Sequence, residues 1–224
     1  MTTSVSAAAA AVLYGWGLVM LFVIRSQRHK AATGSTGFNG FRSTPGVVAR
    51  VAGICFAAAV ALGLAAPLLA AVNLVHHLTG RAFNSTAGPW VWAGLVMTAA
   101  GFITAAVAQN TMGTSWRIGV DQAERTELVT HGVFARVRNP IFTAMIAAQT
   151  GTALMTPTWL SVLGVVLLVV GIELQVRRIE EPYLARVHGA PYIAYAARTG
   201  RFLPSLGRLT DESAHAAAGQ ERVL

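Results

Sequence analysis

The chain has 224 residues, of which 54% are apolar and only 12% charged, a composition that excludes an ordinary soluble domain and points to a membrane protein. Its net charge of +8 would suit nucleic acid if the basic residues clustered on a water-facing surface. Instead they punctuate long apolar runs, so nucleic-acid binding is set aside. The single cysteine, Cys55, lies inside an apolar run, which rules out a disulfide framework or a multi-thiolate metal site and leaves a small inert hydrophobe.

A bilayer core about 30 Å thick needs roughly 20 apolar residues of helix, because backbone polar groups cannot stay unpaired in hydrocarbon. In chain order, the first predicted span runs from Ser6 to Ile24, without a basic residue ahead of it as a cleaved signal peptide would need. A Gly/Ser/Thr-rich loop, Thr33 to Pro45, leads to a second span over about Val51 to Val75. The third, about Pro89 to Ala108, opens with the interface pair Trp90 and Trp92. After a polar stretch, the apolar block from Ile141 to about Gln175 is too long for one span, and Thr156-Pro157-Thr158 breaks it into a hairpin. The first arm, Ile141 to Met155, carries Thr143, Gln149, Thr150 and Thr152, and is expected to be tilted or shielded inside the bundle. Asp211 to Leu224 reads as a frayed polar tail.

The expected fold is therefore an all-α, multi-pass transmembrane bundle of about five spans. It forms one membrane domain over residues 1–224: three N-terminal spans with their loops over 1–110, the connection, hairpin and C-terminal helix over 111–205, and the tail beyond. Cytoplasmic loops carry the excess of Lys and Arg. With the N-terminus outside and the C-terminus in the cytoplasm, sixteen of the seventeen basic residues fall inside, and only Arg81 is left out. The expected location is the cell membrane, among membrane lipids.

This topology gathers the two polar stretches, Asn110 to Pro140 and Glu173 to Pro204, at the cytoplasmic mouth. In the first, Arg136 and Arg138 flank Asn139-Pro140, where a helix should start with Pro140 in its first turn. A helix N-terminus beside a guanidinium suits a carboxylate or phosphate; a juxtamembrane Arg pair bound to lipid headgroups suits the pattern equally well. In the second, Glu173 at membrane depth should face the bundle interior and pair with Arg177, one turn on. Positions 173, 177, 180 and 184 trace one face of an α-helix. Glu180 either lies on that face as a working acid or joins a solvated helix end; Glu181, Arg178 and Arg186 read as solvated charges. Tyr183, Tyr192 and Tyr195 read as base-stacking or, more commonly, interfacial anchors. The histidines show no metal spacing, and the adjacent His76 and His77 read as loop surface.

The segment LVTHGVFARVRNPIF is similar to the LVTxGxYxxxRHPxY signature of the isoprenylcysteine carboxyl methyltransferase family, membrane enzymes that use S-adenosylmethionine (SAM). Downstream, RIEEPYLARVHGAPYIAYAARTGRFLP resembles that family's EExxLxxxFGxxYxxYxxxVxRFxP. The two blocks stand in the family's order with a helical hairpin between them, and cover roughly Gly113 to Pro204. The resemblance implies a SAM pocket lined by Glu127, Leu128, Val129, Phe134, Arg138, Asn139, Pro140 and Phe142, with Glu180 reaching the polar end of the cofactor. By a looser match, it implies Arg177 as the residue that orients an acidic group of a lipophilic substrate. Asn139 stands where the family has His, and Phe134 and Phe142 where it has Tyr, so stacking faces are kept while hydrogen bonds are lost. The implied activity is methyl transfer to a lipophilic carboxylate, thiol or amine. Two rivals are an NADPH-dependent reductase of steroid-reductase-like type, whose RHPNYxGE-like element would want an acid near Met145, and a non-catalytic small-ligand binder.

Overall fold

The computed structural model describes residues 3–37, 46–72, 88–117 and 127–209. His76 and His77, Arg81, most of the Gly/Ser/Thr loop and the C-terminal tail lie outside these residues. Among the described residues all regular structure is helical, with one isolated bridge between Val137 and Gly200. Helix α1 (Thr3–Leu18) continues through a π turn (Val19–Ile24) into α2 (Arg25–Thr33). Then come α3 (Val47–Ala71), α4 (Pro89–Met112), α5 (Pro140–Met155) and α6 (Trp159–Gln175). A second π turn (Val176–Glu180) leads from α6 into α7 (Glu181–His188), and α8 (Ala190–Arg198) follows.

Among the described residues the fold is all-α, and four helices are long and apolar enough to cross a membrane: Ser4–Thr33, Val47–Ala71, Pro89–Ser115 and Trp159–His188. Their outward faces carry Val, Leu, Ile and Trp, with Trp90 and Trp92 both exposed at the start of α4. The expected fifth span is the shorter α5, whose 16 residues reach only about 24 Å. It is the shielded arm that its polar residues foretold, burying Ala144, Ala148, Gln149, Gly151, Thr152 and Met155. Thr158 caps α6 by accepting from the Ser161 N–H at 3.1 Å, which fixes the break in the hairpin.

Helices α4 and α5 touch backbone to backbone. A Cβ on Gly101 would stand 2.7 Å from the Ala144 carbonyl oxygen, and one on Gly151 would stand 2.6 Å from that of Gly94. Small residues let membrane helices approach this closely, since lipid gives apolar side chains little reason to prefer one another. Polar groups inside the bundle find partners, because none is available in hydrocarbon. The Tyr14 hydroxyl donates to Gln149 Oε1 at 2.9 Å, and Gln149 Nε2 donates to the Ala59 carbonyl at 3.0 Å, so one amide joins α1, α3 and α5. Thr98 Oγ1 donates to the Gly94 carbonyl at 2.8 Å and lies 3.2 Å from that of Ala148.

The chain after α8 returns to the start of α5. The N–H groups of Arg138 and Asn139 donate to the carbonyls of Gly200 and Arg201 at 2.8 and 3.1 Å, and Thr143 Oγ1 donates to the Phe202 carbonyl at 2.8 Å. This return packs the polar connection and the C-terminal helices against one end of the bundle.

Candidate active site

A cavity opens between the bundle and that polar layer. Its apolar wall comes from membrane helices, with Phe22 of the first π turn, Phe56 of α3, Ile141, Phe142 and Met145 of α5, and Gly171 of α6. Its polar wall comes from Arg117, Glu127, Arg138, Asn139, Glu180 and Glu181, with Phe134, Tyr183, Tyr192 and Tyr195 between. An amphiphile or a nucleoside with a charged tail fits such a lining, because each half of the molecule meets surface of its own polarity.

All nine positions proposed for the cofactor line this one cavity: Glu127, Leu128, Val129, Phe134, Arg138, Asn139, Pro140, Phe142 and Glu180. Arg177 does not line it. Its side chain is half exposed and pairs on the outer surface with Glu173, which is itself 36% exposed, so the expectation that this pair faces the interior is corrected. The physical reason is the π turn at Val176–Glu180. An unbroken α-helix puts 173, 177, 180 and 184 on one face, but hydrogen bonds closing over five residues delay the rotation. Glu173 and Arg177 therefore stay outside while Glu180 and Leu184 reach the cavity.

The turn also brings Gln175 to the site, a residue the sequence reading passed over. Residues five apart on an α-helix point about 140° away from each other. Here Gln175 Nε2 donates to Glu180 Oε1 at 3.2 Å. Its position as a lone amide at the end of an apolar run was the available signal, since polar side chains at membrane depth tend to serve a function.

Arg138 is 7% exposed and almost fully engaged. Its Nη1 donates to the carbonyls of Ala196 and Thr199 at 2.9 and 2.5 Å, and its Nη2 to Glu181 Oε1 at 2.6 Å and the Gly207 carbonyl at 3.1 Å. Glu181 also accepts from Arg201 Nε and Nη2, both at 2.8 Å, so two arginines share one carboxylate. That bond to Glu181 is the main reason the Arg201 guanidinium holds its proton more tightly than usual. Glu181 is thus a largely shielded link between the start of α7 and the returning chain, not the solvated charge its neighbourhood in sequence suggested. Two cavity atoms have no hydrogen-bond partner among the described residues, Arg138 Nε and Gln175 Oε1.

The three tyrosines are buried, at 4%, 2% and 7% exposure for Tyr183, Tyr192 and Tyr195, which corrects the interfacial reading. Tyr195 donates to the Phe134 carbonyl at 2.7 Å, and burial pushes its phenol up to about 12 against a smaller opposing pull from Arg138. Burial raises Tyr192 as well. Arg117 donates to the Tyr183 hydroxyl at 3.4 Å and lies over its ring, 5.8 Å from the centroid. Asn139, in place of the family's His, donates from Nδ2 to the Arg201 carbonyl at 3.2 Å. Among the described residues no cluster of His, Cys, Asp or Glu could hold a metal ion.

Bundle and cavity together define a multi-helix membrane protein with a cavity between its spans and a polar layer. Residues 89–191, a little under half of the chain, match the phospholipid methyltransferase family model. This is the same class of membrane methyltransferases to which the two sequence blocks pointed, and the match supports a membrane methyltransferase in general. No curated protein and no solved structure matches. The matched region includes α4, the connection and the hairpin, and it ends before Tyr192 and Tyr195, which complete the cavity from the C-terminal side.

Proposed function

We propose that the chain transfers the methyl group of SAM to a lipophilic acceptor, a carboxylate, thiol or amine, at the cytoplasmic face of the cell membrane. The observation that carries this reading is the convergence of the nine positions that the resemblance implies, spread over Glu127 to Glu180, on one cavity with an apolar and a polar wall. The residues present suit SAM. Phe134, Phe142 and Tyr192 offer flat faces to a base, Glu180 offers a carboxylate to a cationic end, and Arg138 Nε offers an unused donor. The distribution of basic residues supports the cytoplasmic orientation.

SAM supplies an activated methyl on a sulfonium, so the protein's part is to hold the nucleophile in line with it and keep water away. The polar wall would bind and orient the cofactor, while Phe22, Phe56, Ile141 and Met145 would receive the acceptor's apolar body from the bilayer side. The reductase reading loses ground because Met145 lines the cavity where its motif would place an acid. Calorimetry on the detergent-solubilised chain provides the test: micromolar binding of S-adenosylhomocysteine and none of NADPH is expected, and the converse result would sink the proposal.

A further inference from the structure

We propose that Gln175 reads the bound molecule, forming with Glu180 a two-acceptor corner for the N–H groups of an amine or ammonium. Gln175 is 7% exposed, at the junction of α6 and the π turn. Its Nε2 donates to Glu180 Oε1. A carboxylate only accepts, so this bond fixes which end of the amide faces Glu180 and which faces away. The end that faces away, Oε1, is buried and has no donor among the described residues. Native folds leave few such acceptors without a partner, and those that remain call for an explanation. Gln175 lines a cavity whose wall also carries donors such as Arg117 and Tyr192, yet no described side chain bonds to its Oε1. The donor that Oε1 lacks can be supplied by what the cavity binds. A carboxylate and an amide oxygen side by side form a negative, acceptor-only corner, which suits an amine or ammonium and repels a carboxylate.

Two sources share this chemistry: the α-ammonium of the cofactor, which rests on the function proposed above, and an amine on the acceptor, which does not. Binding to the full chain in detergent separates them. One pair of probes is S-adenosylhomocysteine and its analogue with hydrogen in place of the amino group. The other is dodecylamine and dodecyltrimethylammonium, which keeps the charge but has no N–H. If the cofactor is the source, the native protein binds the desamino analogue about tenfold more weakly than its parent, and Gln175→Met weakens the parent by a similar factor, the size of one hydrogen bond to a charged group. If the acceptor is the source, the same differences appear in the dodecyl pair and S-adenosylhomocysteine is unaffected. The native-protein comparisons stand even if the variant fails to fold. The proposal is overturned when neither native pair is discriminated, or when a folded Gln175→Met binds S-adenosylhomocysteine and dodecylamine within twofold of native. A native protein that ignores S-adenosylhomocysteine yet discriminates the dodecyl pair through Gln175 would keep the corner and remove the cofactor assignment.

Discussion

Arg138 commits four of its five N–H groups inside the protein, to three carbonyls and one carboxylate. Its first task is to fasten the returning chain to the start of α5, and only its Nε is left for a ligand. The two neighbouring acids consequently differ in kind. Removing Glu181 takes the shared carboxylate from the buried Arg138 guanidinium and the partly buried one of Arg201, a change that costs roughly 3 kcal/mol. Glu181→Ala is expected to lower the thermal midpoint sharply in detergent, whereas Glu180→Gln should leave the midpoint within a few degrees of native while S-adenosylhomocysteine binding falls at least tenfold. Equal midpoints for the two variants would show the assignment to be wrong. Tyr195 supplies a test by pH. Its phenol is raised to about 12 in the fold, against about 10 in an unfolded chain. The neutral form is therefore the one the fold favours, and that contribution is complete below pH 10 and lost as pH climbs towards 12. Thermal midpoints measured from pH 9 to 12 should fall less steeply in Tyr195→Phe than in the native chain.

At the scale of elements, two devices place the site: the π turn at Val176–Glu180 and the glycine contacts between α4 and α5. The π turn acts as one residue inserted into an α-helix. Deleting the exposed Arg178 would leave Gln175 and Glu180 four apart on an ordinary α turn, still on one face, so S-adenosylhomocysteine affinity should stay within a few fold of native. Inserting an alanine at the same place would swing Glu180 about 100° from the cavity and abolish binding; equal affinities for the two variants would remove the π turn from the account. Gly151 approaches Gly94 so closely that a methyl group has no room. Gly151→Ala should destabilise the bundle by about 1–3 kcal/mol, read as a lower thermal midpoint. The sequence made the hairpin break and the shielding of α5 legible, since Pro157 and a row of threonines carry those signals. It did not reveal the π turn, because periodicity reasoning assumes one rotation per residue throughout, and a change of pitch has no composition of its own.

For the whole molecule, the bundle arranges long apolar helices around a cavity that borrows one wall from the membrane spans and the other from the polar layer. If the orientation follows the basic residues, the exposed Arg208 lies in the cytoplasm. A cysteine placed there in a Cys55→Ser background should react with a membrane-impermeant thiol reagent in inside-out vesicles and stay unlabelled in right-side-out ones, and the reverse pattern would invert the topology. Membrane class, helical fold, hairpin and the two polar stretches followed from the sequence itself, because hydrocarbon admits so few backbone arrangements that length and hydropathy nearly determine them. The nine cavity positions came from the resemblance of two short sequence blocks to a known family, and blocks that short can be read without a fold. The pairing of Glu181 with Arg138 and Arg201, the burial of three tyrosines and the exclusion of Arg177 were decided only in three dimensions. Each depends on which face of a helix meets which distant segment, and that is set by a change of helical pitch and by a chain return that bridges residues some sixty positions apart.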